Sequence, residues 1–128
     1  MVNTTRSSPI TVLVVEDNTD IREPMIVALK CMGYEAVGAC DGVEALDLIR
    51  KYDYQLILCD IDMPLMNGIE LFSICNNEKP ESVSRFIFVT GGWTDESSDF
   101  IEKCGQPYMF KPFTFARLRE VIKTLSET

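Results

Sequence analysis

Residues 54–68 read YQLILCDIDMPLMNG, and this stretch is the most informative about the fold. Its first half is a nearly continuous apolar run that ends in Asp60, which is typical of a strand covered on both faces of a parallel sheet. Its second half contains Pro64 and, after a short loop, Gly68, where a segment of helical periodicity begins. The stretch therefore predicts a buried strand, a tight loop and a helix, with a carboxylate at the end of the strand.

The same alternation continues in both directions along the chain. Four more apolar segments predict strands, at 10–16, 34–39, 85–90 and 107–110. Segments of helical periodicity lie between and after them, and the first of these ends at Gly33. Strands that alternate with helices predict an α/β protein with a flavodoxin-like (βα)5 fold, a doubly wound parallel sheet with strand order 2-1-3-4-5. Pro24 is compatible with the first helix if that helix begins near Thr19 or Asp20.

Length and composition limit the function classes. We expect the 128 residues to form one domain over 1–128, with a core from about 10 to 125 and no separate output domain. The formal charge of -8 repels phosphate backbones and anionic lipid, so we expect neither nucleic acid nor a membrane as a partner. No apolar run approaches the roughly 20 residues of a membrane span. We expect a cytoplasmic protein whose five cysteines stay reduced.

Polar side chains stand at the predicted strand ends. Glu16 and Asp17 follow the first strand, Asp60 ends the third, Thr90 ends the fourth, and Lys111 follows the fifth. In a doubly wound sheet these ends share one edge, where ligands bind. Three converging carboxylates require a cation, and hard oxygen ligands favour magnesium. Taken singly, each residue also fits a structural role, such as a helix cap or a surface lysine; their joint position favours a site that holds a phosphoryl group.

Four short motifs occur in order: VVEDN at 14–18, CDIDMPLMNG at 59–68, FVTGG at 88–92 and KPF at 111–113. In these motifs, and over essentially the whole chain from Ile10 to Leu125, the sequence resembles the response-regulator receiver domains of two-component signalling. The stretch from TGG to KPF is more similar to receivers attached to hybrid sensor histidine kinases than to those of transcription factors. The resemblance implies a phosphoacceptor protein that catalyses its own phosphorylation and dephosphorylation and is not a turnover enzyme.

The resemblance also implies roles for individual residues. It makes Asp60 the phosphorylated residue and a direct Mg²⁺ ligand together with Asp17, while Glu16 acts through water and Asp62 contributes its backbone carbonyl. Lys111 would bridge to the phosphoryl group, Thr90 would move toward it, and Tyr108 would turn inward when the threonine moves. Separately, the resemblance implies a cis peptide bond before Pro112. The implied partner is a sensor histidine kinase or a phosphotransfer domain. We expect a monomer or weak dimer, and the downstream target is not encoded in these motifs.

Two other functions fit part of the pattern. Asp60 and Asp62 after an apolar strand imitate the nucleophile and acid/base pair of haloacid-dehalogenase-like phosphatases. That interpretation requires a second acidic pair downstream, whereas here the pair lies upstream at 16 and 17. A flavodoxin-like scaffold would leave the clustered acids unexplained, and no phosphate-binding loop follows the first strand.

Overall fold

A computed structural model describes residues 10–92 and 94–126 of the protein. Five strands alternate with five helices, and a short 3-10 helix follows the third of them. In chain order the elements are β1 Thr11–Val15, α1 Thr19–Cys31, β2 Glu35–Ala39, α2 Gly42–Lys51, β3 Leu56–Asp60, α3 Gly68–Glu78, the 3-10 helix Pro80–Arg85, β4 Phe86–Thr90, α4 Asp95–Cys104, β5 Tyr108–Phe110 and α5 Phe115–Ser126.

The strands form one parallel sheet with the order β2-β1-β3-β4-β5. This confirms the predicted flavodoxin-like topology. The strands are shorter than the predicted apolar runs by up to two residues at an end. Asp60 is the last residue of β3 and pairs with Val89, so Thr90 lies one residue further along β4.

Helices cover both faces of the sheet, which explains the continuous apolar runs. On one face, strand residues such as Ile57 and Phe88 pack against α2, α3 and α4. On the other face, residues such as Leu58 and Val89 pack against α1 and α5. Cys59 and Cys75 are buried in the first of these layers, and all five cysteines are free, as the sequence predicts.

The helix ends follow the sequence signals. Asn18 caps α1 by accepting a hydrogen bond from the amide of Asp20, and α1 continues through Pro24. Gly105 ends α4 with φ of 72°, a conformation that glycine adopts without steric cost. The 3-10 helix was not predicted, because six residues are too few to show a period. No helix in the described ranges is long and apolar enough to cross a membrane.

Candidate functional site

Three strand ends bring two acids and a lysine together. Glu16 follows β1, Asp60 ends β3 and Lys111 follows β5, and parallel strands place these ends at one edge of the sheet. Glu16 and Asp60 are only 2% and 3% exposed. Within the part of the chain that the structure describes, they are the buried acidic side chains. Buried charges are costly unless they are paired, so this pair of acids requires a cationic partner.

Lys111 is that partner, and it serves both acids. Its Nζ atom lies 3.0 Å from Oδ2 of Asp60, to which it donates a hydrogen bond, and 2.9 Å from Oε1 of Glu16. The other oxygen of Asp60, Oδ1, accepts a hydrogen bond of 3.2 Å from the backbone amide of Asp62. The Asp60 carboxylate is therefore held on both oxygens, and two carboxylates share one ammonium group.

Glu16 is less completely satisfied. Its Oε2 accepts a hydrogen bond of 3.1 Å from the amide of Asn18. Its Oε1 is buried and has no partner in hydrogen-bond geometry, although Lys111 Nζ is within ion-pair distance. Such an oxygen still has a free lone pair for a further positive group.

The acidic cluster fits a divalent cation. One carboxylate oxygen each from Glu16, Asp17 and Asp60 lies within 4.8 Å of the others. Asp17 is exposed, so the cluster opens to solvent on one side. An all-oxygen donor set with net negative charge suits Mg²⁺, which binds through one or two carboxylates and keeps several waters.

Burial and charge change the titration of the central pair. Burial raises the pKa of Asp60 to about 7; the hydrogen bond from Lys111 opposes this shift and the charge of Glu16 adds to it. Burial acts to lower the pKa of Lys111, but Glu16 and Asp60 together hold it above its ordinary value. Without a metal, the site is therefore short of positive charge at neutral pH.

The spacing of the motif after Asp60 has a steric cause. A Cβ atom on Gly68 would lie 2.7 Å from the carbonyl oxygen of Asp60, so only glycine fits there without a shift. The amide of Gly68 also donates to the carbonyl of Ile61 at 2.9 Å. Gly42 of α2 makes a similar approach, since its Cβ would lie 2.5 Å from the carbonyl oxygen of Met66. The loop that follows β3 thus packs closely against the first residue of α3 on one side and the first residue of α2 on the other.

Two features of this loop were not predicted. Leu65 has φ of 68° and is 82% exposed, although leucine rarely adopts the left-handed region. The Gly42 to Met66 contact also escaped prediction. The dipeptide Asp41-Gly42 indicates the start of a helix, but no local pattern indicates that Met66 packs against it.

The other predicted residues lie around this centre. Thr90 is fully buried, and its hydroxyl donates a hydrogen bond of 2.6 Å to the carbonyl of Gly92, so it is turned toward its own loop. Tyr108 is 38% exposed, and its ring meets that of Phe110 edge to face at 5.6 Å. The Asp62 side chain is exposed, and the Lys111–Pro112 peptide bond is cis.

Fold and site together define a class: a flavodoxin-like α/β protein with an acidic pocket and one lysine at the carboxyl edge of its sheet. The model of the response regulator receiver domain matches residues 12–123. The chain belongs to this family, as the sequence motifs indicate. It is a receiver domain of two-component signalling, so the phosphatase and scaffold alternatives have no support.

Relatives and solved structures agree with this assignment. The polar-differentiation response regulator DivK of Brucella anthropi is 31% identical over 91% of this chain and 95% of its own length. The structure of response regulator protein TrrA from Thermotoga maritima, in complex with Mg(2+)-BeF, has a TM-score of 0.79 and 32% identity, covering 91% of this chain and 98% of that chain.

Other relatives are longer than this chain. The probable transcriptional regulator ycf27 of Porphyridium aerugineum is 29% identical over 91% of this chain but only 49% of its own length. The chain spans about half the length of such curated relatives.

Proposed function

We propose that Asp60 accepts a phosphoryl group from the phosphohistidine of a sensor histidine kinase or phosphotransfer domain. An Asp60 carboxylate oxygen attacks phosphorus, the nitrogen to phosphorus bond of the donor breaks, and an acyl phosphate forms. The histidine keeps the electron pair of the broken bond. The product is the modified protein itself, so the domain acts as a switch and not as a turnover enzyme.

The position of Asp60 carries this proposal. It is a strand-end carboxylate that shares the ammonium group of Lys111 with a second buried acid. The Asp17 carboxylate completes a three-acid cluster. A structural ion pair would need one acid for one lysine. The additional carboxylates are accounted for if a divalent cation also binds beside the acceptor.

The remaining residues have distinct roles in the transfer. Lys111 is already in hydrogen-bond contact with Asp60 and offsets the charge of the incoming phosphoryl oxygens. Asp17, Asp60 and the backbone carbonyl of Asp62 would be the direct ligands for Mg²⁺. When bound, Mg²⁺ neutralises charge on the phosphoryl oxygens. Glu16 acts through water, in keeping with a carboxylate that Lys111 and the Asn18 amide already engage.

The switch uses Thr90 and Tyr108. The Thr90 hydroxyl is bonded to the carbonyl of Gly92 and must leave it to reach a phosphoryl oxygen on Asp60. This movement vacates space next to β5, into which the exposed Tyr108 ring turns. The acyl phosphate thus shifts the population toward a state with a different surface on β4, α4 and β5.

Phosphorylation with a small donor tests the proposal. The protein is incubated with phosphoramidate and Mg²⁺, and intact mass is measured before and after hydroxylamine treatment. We expect one added phosphoryl group that hydroxylamine removes. Asp60→Asn should abolish the addition, whereas the neighbouring Asp62→Asn should retain it. Equal labelling of the Asp60→Asn protein would contradict the assignment.

Two comparisons support the proposal. The TrrA structure was obtained with Mg(2+)-BeF, a species that mimics a phosphoryl group with its metal. DivK has nearly the same length as this chain, and ycf27 is about twice as long. The domain therefore fits either a free-standing regulator or one module of a longer protein, such as a hybrid kinase.

A further inference from the structure

Arg22 holds the backbone that carries the acid pair. It lies near the start of α1, and its Nη1 atom donates a hydrogen bond of 2.8 Å to the carbonyl oxygen of Glu16. Its Nη2 atom donates to the Thr19 hydroxyl at 3.2 Å. Although α1 is a surface helix, the Arg22 side chain is only 15% exposed. The guanidinium group is therefore folded onto the loop between β1 and α1.

Gly38 leaves room for this side chain. A Cβ atom on Gly38 would lie 3.0 Å from Cδ of Arg22 and 2.9 Å from Cδ1 of Ile26. Glycine within a strand weakens it, and it often marks a place where another group approaches closely. Here the approaching groups are side chains of α1, and the Arg22 stem is one of them.

The carbonyl that Arg22 binds belongs to the peptide unit between Glu16 and Asp17. Because a peptide unit is planar, fixing this oxygen also fixes the direction in which the chain enters Asp17. The amide of Glu16 donates to Ala39 at 3.1 Å, and the amide of Asn18 donates to the Glu16 side chain. Arg22 adds a charged donor to these contacts, and charged donors form the stronger hydrogen bonds. Asp17 itself is exposed, so its position depends on this backbone.

We propose that Arg22 is a positioning residue that holds the Asp17 carboxylate in place for Mg²⁺, and that Gly38 leaves room for the Arg22 stem. Arg22 is not among the residues proposed to hold the metal or the phosphoryl group. This inference rests on the magnesium-dependent acceptor function proposed above.

Magnesium affinity of the folded protein provides the first test. Isothermal titration calorimetry is performed well below the melting temperature of every variant, as judged by circular dichroism. We expect Arg22→Ala to weaken binding roughly tenfold, the scale typical of partners that orient a metal ligand. Arg22→Lys, which can still donate one bond, should give an intermediate affinity. Glu23→Ala is the matched control, because it removes only the 3.5 Å ion pair of Arg22, and its affinity should equal that of wild type.

A double variant separates positioning from general damage. Gly38→Ala pushes on the Arg22 stem and should also weaken magnesium binding. If both changes act through the same contact, the Gly38→Ala/Arg22→Ala protein should bind Mg²⁺ no more weakly than Arg22→Ala alone. Additive losses would overturn the link between the two residues.

NMR of the metal-free protein tests the role of Arg22 without relying on magnesium binding. In metal-free protein, Arg22→Ala should broaden or shift the Asp17 and Asn18 amide signals in ¹H–¹⁵N spectra, and Arg22→Lys should partly restore them. If the wild-type protein binds Mg²⁺ and Arg22→Ala binds it with the same affinity, the inference is overturned and the acceptor function is left intact. If wild type binds no magnesium, the acceptor function fails, and unchanged Asp17 signals in Arg22→Ala would then overturn the role of Arg22 as well.

Discussion

Gly68 packs directly against the backbone of Asp60, so that a Cβ atom on Gly68 would lie 2.7 Å from the Asp60 carbonyl oxygen. Real Cβ atoms essentially never approach a carbonyl this closely, and backbone on both sides leaves little freedom to relax. The first turn of α3 therefore limits how far the end of β3, which carries Asp60, can move toward α3.

Replacing Gly68 by alanine should consequently reduce both stability and phosphorylation. We expect Gly68→Ala to lower the free energy of unfolding by about 1–3 kcal/mol, the cost typical of overpacking. Its phosphorylation rate with phosphoramidate should also fall, because Asp60 shifts relative to Lys111. Urea titration and intact mass measure the two effects. Gly92→Ala is the control, since a Cβ there meets nothing within 4 Å, and its stability should not fall.

The raised pKa of Asp60 predicts that the metal-free protein becomes less stable to unfolding as pH rises. An acid whose pKa is about 7 in the folded state and 3.8 in the unfolded state favours folding when protonated, and this contribution is lost as pH rises from about 4 to about 7. Asp60→Asn cannot ionise. We therefore expect this variant to match wild type near pH 4 and to exceed it in stability by a few kcal/mol at pH 8, since each pKa unit corresponds to about 1.4 kcal/mol.

Urea denaturation at several pH values in the presence of a chelator measures this difference. Asp53→Asn is the control, because the pKa of Asp53 is shifted in the opposite direction. The hydrogen bond from Lys79 lowers it. That variant should show no gain in stability at pH 8. An Asp60→Asn protein less stable than wild type at pH 8 would show that its ion pair with Lys111 outweighs the burial of its charge.

Magnesium binding should depend more on Asp17 than on Glu16. A direct ligand loses a metal bond when removed, whereas a residue that acts through water loses only a mediated contact. We expect Asp17→Ala to lose more affinity than Glu16→Ala in calorimetric titrations. Equal or reversed losses would mean that the two acids have exchanged roles. Asp20→Ala, which removes an exposed acid in the first turn of α1, serves as a charge-matched control.

The lifetime of the phosphorylated state should depend on Asp62. Its amide is bound to Asp60 Oδ1, and its exposed carboxylate is attached to a short loop containing Met63 and Pro64. A carboxylate held there can orient the attacking water. We expect slower loss of the phosphoryl group in Asp62→Ala and Asp62→Asn after the donor is removed at saturating Mg²⁺. Faster loss in both would indicate repulsion of the phosphoryl oxygens, and unchanged rates would exclude the side chain from the reaction.

Local patterns were sufficient to predict the fold and the members of the site. Apolar runs reveal strands buried on both faces, and parallel strands necessarily place their carboxyl ends at one edge. The grouping of Glu16, Asp60 and Lys111 follows from these two facts. The strand order 2-1-3-4-5 required a further premise, that alternating strands and helices with right-handed crossovers form a flavodoxin-like sheet. The 3-10 helix between α3 and β4 was missed because its six residues carry no periodic signal.

Which chemical groups meet at the edge of the sheet can be read from the sequence, because the position of a residue at a strand end is a local property. How these groups share charge and space depends on the packing of the folded chain. Lys111 pairs with two acids, one of them 51 residues away, and the Thr90 hydroxyl is bonded to Gly92. Gly38, Gly42 and Gly68 each leave room for a group from another element. These relationships depend on distances between residues far apart in the chain, which no local periodicity encodes.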